Sequence, residues 1–200
     1  MKWFDEEIRD GDNGIIIYPD LQTFRQIYTK YAKEQLEKEN NSNSIRNEHS
    51  KPRIILIATF YETIESVKHH LEDIGLKNIQ SIIDNGSLLI VDAFNAYYPD
   101  INGMKKLVAS LSERAKREGR AGVTAIVDMG FFFLFGGDGR ATELINYETS
   151  LPPKTEGGNV KGFTCYHVGN YNTLKEDQKK ELAQKGKKVF EVRESITTTS

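Results

Sequence analysis

Apolar residues recur along this chain with two different periods, and each change of period marks a new element. GIIIYP (14–19) is an unbroken β-branched run closed by a proline, which predicts a short strand buried on both faces. In the following stretch, 20–39, Leu21, Phe24, Ile27, Tyr28, Tyr31 and Leu36 fall near helical spacing, with Asp20 where an N-cap belongs. NNSNSIRNEHSK (40–51) follows no period and predicts an exposed loop. PRIILIATFYE (52–62) predicts a second strand, after which Ile64, Val67, Leu71 and Ile74 line a helix face that Gly75 terminates.

The alternation continues to the end of the chain. GSLLIVDAF (86–94) predicts a strand, and 101–118 a helix with Met104, Leu107, Val108 and Leu111 inward. GVTAIVD (122–128) is the next strand, and 141–151 a helix stopped by Pro152 and Pro153. KGFTCYHVG (161–169) predicts a strand, 173–186 a helix and KKVFEV (187–192) a last strand. RESITTTS (193–200) lacks a period and predicts a fraying tail.

Six near-continuous apolar strands alternating with five helices describe an α/β domain, a mostly parallel sheet covered on both faces. The strands at 14–18, 53–60, 87–92 and 122–128 are expected at its centre. The chain divides into an extension at 1–13, one domain at 14–192 and the tail. Ligands of such sheets bind outside the carboxyl ends of the strands. That edge is predicted to carry Tyr18, Tyr61, Glu62, Asp92, Asp128 and His167.

Composition narrows the classes. With 27 Lys and Arg against 29 Asp and Glu, the formal charge is −2, which disfavours nucleic acid as the main partner. No apolar run approaches the roughly 20 residues a membrane span needs, and the acidic start MKWFDEEIRDGDNG lacks a signal-peptide core. A single cysteine, Cys165, excludes an internal disulfide, and a cytoplasmic protein is expected.

Phosphate chemistry on this architecture needs a glycine-rich loop with a lysine directly after the first strand. That place reads YPDLQTF, with neither glycine nor lysine, and the lone Gly186-Lys187 pair lacks the upstream glycine. There is therefore no Walker A loop, and ATP or GTP turnover above background is not expected. Asp92 and Asp128 end strands as metal-holding acids do, and Glu62 follows one as a water-activating acid does; each can equally cap a helix or face solvent. Without a phosphate cradle, Asp128 is expected either exposed at the rim or bonded to a neighbouring donor. GGDGRA (136–141) reads either as an anion nest with Arg140 pairing the anion or, more plainly, as a turn whose Asp138 caps a helix. Cys165 and His167 share one side of a strand, but a thiol–imidazole nucleophile needs a third partner that the sequence does not supply. No metal or cofactor motif is present.

Aromatics are the least ordinary feature. Tyr61, Phe94, Tyr97, Tyr98, Phe131, Phe132, Phe133 and Phe135 all fall at or just beyond predicted carboxyl ends. They suit the wall of a small-molecule cleft, a core or a subunit interface equally well. The candidate ligand-binding set is accordingly Tyr18, Tyr61, Glu62, Asp92, Tyr97, Asp128, Phe131, Phe132, Arg140 and His167.

The segments GIIIYPD, VKHHLEDIGL, GSLLIVDAFNAYY, VTAIVDMGFFFLFGGDGRATELINYETSLP and GFTCYHVGNYNTL, in this order, resemble the MEDS family, the methanogen/methylotroph DcmR sensory domains. The likeness runs over about residues 14 to 192, with INYETSLP and TCYHVGNY its most specific parts. The resemblance implies a three-layer RecA/KaiC-like domain that has lost its phosphate loop and senses small organic compounds instead of turning over ATP. It casts Asp128 as a relic of the magnesium-binding strand and Glu62 as a relic of the catalytic acid. It also implies a histidine kinase or a transcription regulator as partner. The family's histidine near the first strand has no counterpart in DNGIIIY, and the 40–51 insert is long. With 13 leading residues and no appended helix-turn-helix, the output module is expected on a separate chain. Three functions follow: a non-enzymatic sensory domain, an interaction protein forming homo-oligomers through its aromatics, or a residual nucleotide binder using GGDGR.

Overall fold

In the computed structural model, residues 12–41, 52–134, 138–151, 159–183 and 187–192 are described. Residues 1–11, 42–51, 135–137, 152–158, 184–186 and 193–200 lie outside them; of the loop expected at 40–51, Asn40 and Asn41 instead close the first helix, and the rest is among the residues outside.

β1 (Asn13–Tyr18) turns within two residues, Pro19 and Asp20, into α1 (Leu21–Asn41). The Asp20 carboxylate accepts from Thr23 N at 2.7 Å, as an N-cap should. β2 (Ile54–Thr59) leads to α2 (Ile64–Asp73), capped by Thr63, which accepts from Ser66 N. Gly75 follows with φ 88°, a left-handed turn that frees Leu76 N to bond Leu71 O. A short α3 (Ile79–Asp84) precedes β3 (Leu88–Asp92), and α4 (Ala93–Tyr97) separates β3 from α5 (Gly103–Glu118). β4 (Val123–Asp128) runs through a 3₁₀ turn at Gly130–Phe133 to α6 (Asp138–Ser150). β5 (Val160–His167), α7 (Val168–Tyr171), α8 (Glu176–Ala183) and β6 (Lys188–Glu191) complete the described elements.

The strands form one sheet in the order β3-β2-β4-β5-β1-β6, and every pairing is parallel. Helices cover both faces, so the fold is the expected three-layer α/β arrangement of RecA-like type. One expectation is corrected: the strand predicted centrally at 87–92 is β3, at the edge, and β5 takes an interior place. Apolar continuity reports cover above and below a strand, not neighbours beside it, and β3 is covered by helices although only β2 pairs with it. The short helices α3, α4 and α7 have no counterpart in the sequence pattern, because one or two turns carry no readable period.

Alternate residues of each strand feed opposite cores. Ile16, Tyr18, Ile55, Ile57, Ile126, Phe163 and Cys165 pack with Phe24, Tyr28, Val67 and Leu71 of α1 and α2. Ile15, Ile17, Leu56, Val123, Ala125 and Val127 pack with Met104, Leu111, Leu144 and Ile145 of α5 and α6. Each fully buried aliphatic side chain contributes roughly 1.5–3 kcal/mol. At the amino ends, buried Arg53 ties three strands, donating to Thr124 Oγ1, Val123 O and Asn159 O at 2.8–3.0 Å.

Candidate functional site

On the α1–α2 face, the carboxyl edge holds a closed polar knot. Asp128 ends β4 with no solvent exposure. Its Oδ1 accepts from Gly130 N at 2.9 Å and opens the 3₁₀ turn, while its Oδ2 accepts from Tyr18 OH at 3.2 Å. Burial pushes this carboxyl up to about 7, and the nearby negative charge of Glu62 pushes the same way. Burial first, and the facing Asp128 second, raise the Tyr18 hydroxyl beyond any physiological range. The carboxylate therefore serves as an internal acceptor, bonded to neighbouring donors and not exposed at the rim.

Glu62 is equally engaged. Its side chain is 2 % exposed and accepts from Arg25 Nε at 2.8 Å, Ser66 Oγ at 3.2 Å and Tyr28 OH at 3.3 Å, with His70 Nε2 3.2 Å away. Tyr61 OH accepts from Asn170 Nδ2 at 2.7 Å, bridging the β2–α2 turn to α7 across the end of β4. The rings of Phe60 and Tyr61 lie against Gly130 so closely that a Cβ there would sit 2.5 Å from Phe60. Cys165 and His167 share a side as expected, but Cys165 is fully buried and burial drives its thiol well above its usual value. The His167 ring edges onto Tyr18 at 5.6 Å, and its Nδ1 accepts from Gly169 N to cap α7. Among the described residues no three His, Cys, Asp or Glu side chains come together as a metal site needs.

The opposite face is built differently. Ala125 of β4 and Gly162 of β5 are register partners, and both turn toward α5 and α6. Two of the smallest residues side by side lower the sheet surface, a hollow that Asn13 fills in part. Asn13 folds over Gly162, its Oδ1 taking the place where a Cβ would stand. Above the hollow lies a cavity of about 610 Å³. Its walls are Met104, Val108, Val127, Leu151 and Val160, with the rings of Tyr97 and Tyr147 at one side. Polar groups are few: Thr164, Asn13, Lys105, Ser112 and a Glu113–Lys116 pair bonded at 2.8 Å. A mostly apolar volume of this size with a few convergent polar groups is what small-molecule sites offer. A second hollow of about 600 Å³, at the carboxyl ends of β1 and β6, touches Tyr18 and Tyr171, and its Lys179 is paired with Glu176.

No protein-family model and no curated protein matches the chain.

The candidate residues thus separate into three groups. Tyr18, Tyr61, Glu62, Asp128 and His167 do come together at the carboxyl edge, where Tyr18 bonds Asp128 directly and the other three bond neighbouring groups. Tyr97, Phe131 and Phe132 form an aromatic cluster with Tyr147, at centroid distances of 5.2–5.5 Å, that is at most 6 % exposed. Of the candidates, only Tyr97 touches the apolar cavity. Asp92 caps α4, accepting from Phe94 N at 2.8 Å, and Arg140 pairs with Glu143 above the Phe131 ring. The sequence pattern placed Val108 on the inward face of its helix but did not mark it, Lys105, Tyr147 or Gly162 as site residues. Their only trace was a pair of small residues on inward strand positions, visible once the register of β4 against β5 is known.

One further feature absent from the sequence pattern is ionic. Glu148 of α6, wholly buried, meets Lys187 Nζ and accepts from Tyr166 OH at 2.5 Å. Lys187, conspicuous in the sequence only as half of a Gly-Lys pair, anchors the start of β6 to α6. Among the described residues no helix is long and apolar enough to cross a membrane.

Proposed function

We propose that this protein is a non-enzymatic sensory domain that takes a small organic compound into the cavity between α5, α6 and the sheet. The observation that carries the reading is that cavity, hollowed by the Ala125–Gly162 pair and walled by apolar side chains. The polar knot supports it from the other side: Asp128 and Glu62 have their oxygens occupied by protein donors, and a two-residue turn after β1 leaves no phosphate cradle. Occupancy would be read by a separate partner, of the histidine kinase or transcription-regulator kind that the MEDS resemblance implies.

A thermal-shift screen with small apolar and aromatic compounds tests this. A compound at 100 times its Kd stabilises by about 2.7 kcal/mol, a rise of roughly 5–10 °C for a chain of this size. Val108→Trp fills the cavity wall and should abolish the rise while keeping the far-UV circular dichroism of the wild type. If no compound stabilises the wild type, or the rise survives Val108→Trp, the cavity is not a binding site.

A further inference from the structure

The cavity's charge is unbalanced, and that imbalance names a ligand class. Lys105 stands on α5 where the helix faces α6, half-buried, with its ammonium 4.5 Å above the centre of the Tyr147 ring. Its hydrogen-bond acceptor is the Ser150 hydroxyl, which in turn donates to Tyr147 O at 2.6 Å. Both groups are neutral. Among the described residues no carboxylate lies within ion-pair distance of Lys105. The negative group that acts on it, Glu148, is already held by Lys187. At the rim, Glu113 and Lys116 neutralise each other. Among the described residues the lining therefore carries a positive charge without a carboxylate partner beside a mostly apolar volume.

An ammonium that is partly withdrawn from water and given only a ring face and a hydroxyl is under-compensated. The lowered proton affinity of Lys105, which burial causes, agrees with this. An incoming anion would supply the missing counter-charge, with one of the three ammonium hydrogens already engaged by Ser150. The same anion must carry an apolar body, because Val108, Val127, Val160 and Met104 offer nothing to hydrogen-bond.

We infer that, if the cavity is the ligand site, its ligand is an amphipathic carboxylate, its acid group on Lys105 and its apolar body over the Ala125–Gly162 hollow. The inference rests on the sensory reading and adds the class of compound. A neutral hydrocarbon of equal size fills the hollow but leaves Lys105 as it was.

The test uses matched probes, 3-phenylpropionate and 3-phenylpropanol, titrated calorimetrically into the full chain near neutral pH. The expected result is that the carboxylate binds at least about tenfold more tightly than the alcohol. Lys105→Met should erase that preference without weakening the alcohol, and Lys105→Arg should restore most of it. Lys106→Met, an adjacent exposed lysine paired with Asp100, should leave the preference intact and so excludes a general charge effect. Equal binding of the two probes to the wild type overturns the carboxylate assignment while the sensory reading stands. A preference that survives Lys105→Met overturns it as well. Failure of both probes and of the wider apolar panel overturns the inference together with the reading beneath it.

Discussion

Asp128 offers the sharpest physical test, because its environment converts directly into a pH dependence. Its carboxyl is pushed from an ordinary 3.8 up to about 7, first by burial, with the Gly130 and Tyr18 hydrogen bonds opposing the shift. Each unit corresponds to about 1.4 kcal/mol, so keeping this group ionised in the folded chain costs about 4 kcal/mol. The sign follows from where the proton sits. The folded state holds it more tightly than the unfolded one, so the contribution is fully present below pH about 3.8 and is lost as pH rises through about 7. Asp128→Asn cannot titrate, and its amide retains an acceptor for Gly130 N while its NH₂ can donate to the Tyr18 oxygen. Urea unfolding of both proteins at several pH values isolates the group from every other carboxylate, which the two share. The variant's stability relative to wild type should rise by about 3 kcal/mol between about pH 5 and about pH 8. Tyr18→Phe removes a donor to the ionised form and should move the inflection to higher pH. A stability difference that stays flat across this range would refute the claim that burial governs Asp128.

Two further outcomes are expected. Lys187→Met strands the buried Glu148 with, among the described residues, only Tyr166 as side-chain partner and should cost about 3–5 kcal/mol by chemical denaturation. Adding Glu148→Gln to it should recover a large part of that loss, whereas equal losses in the single and double variants would show that packing, not charge, is at stake. Phe132→Ala removes a ring packed on Tyr97, Phe131 and Tyr147 and should cost about 3–5 kcal/mol. Because Tyr97 and Tyr147 also line the cavity, the same variant should weaken any ligand-induced rise in Tm; a variant melting within about 2 °C of wild type would contradict the core placement.

The periods of the chain were enough to place β1, β2, β4 and the long helices, because burial on two sheet faces or one helix face leaves a local pattern. They also disclosed what was missing: the Pro19-Asp20 turn has no glycine or lysine, an absence that is plain without a third dimension. The caps at Asp20 and Gly75 were likewise legible, since capping is chemistry between residues a turn apart. Everything that gives the candidate site its character joins residues far apart in sequence. Tyr18 meets Asp128 across 110 residues, Lys187 meets Glu148 across 39, and Ala125 lies beside Gly162 only through the pairing of β4 with β5. Whether β3 or β5 sits inside the sheet is a question of lateral neighbours, to which an apolar run is blind. The aromatics after β4 could line a cleft, a core or an interface by sequence. Packing against Tyr97 and Tyr147 turned Phe131 and Phe132 into core, and the opening formed instead where two small residues, Ala125 and Gly162, lie side by side under α5.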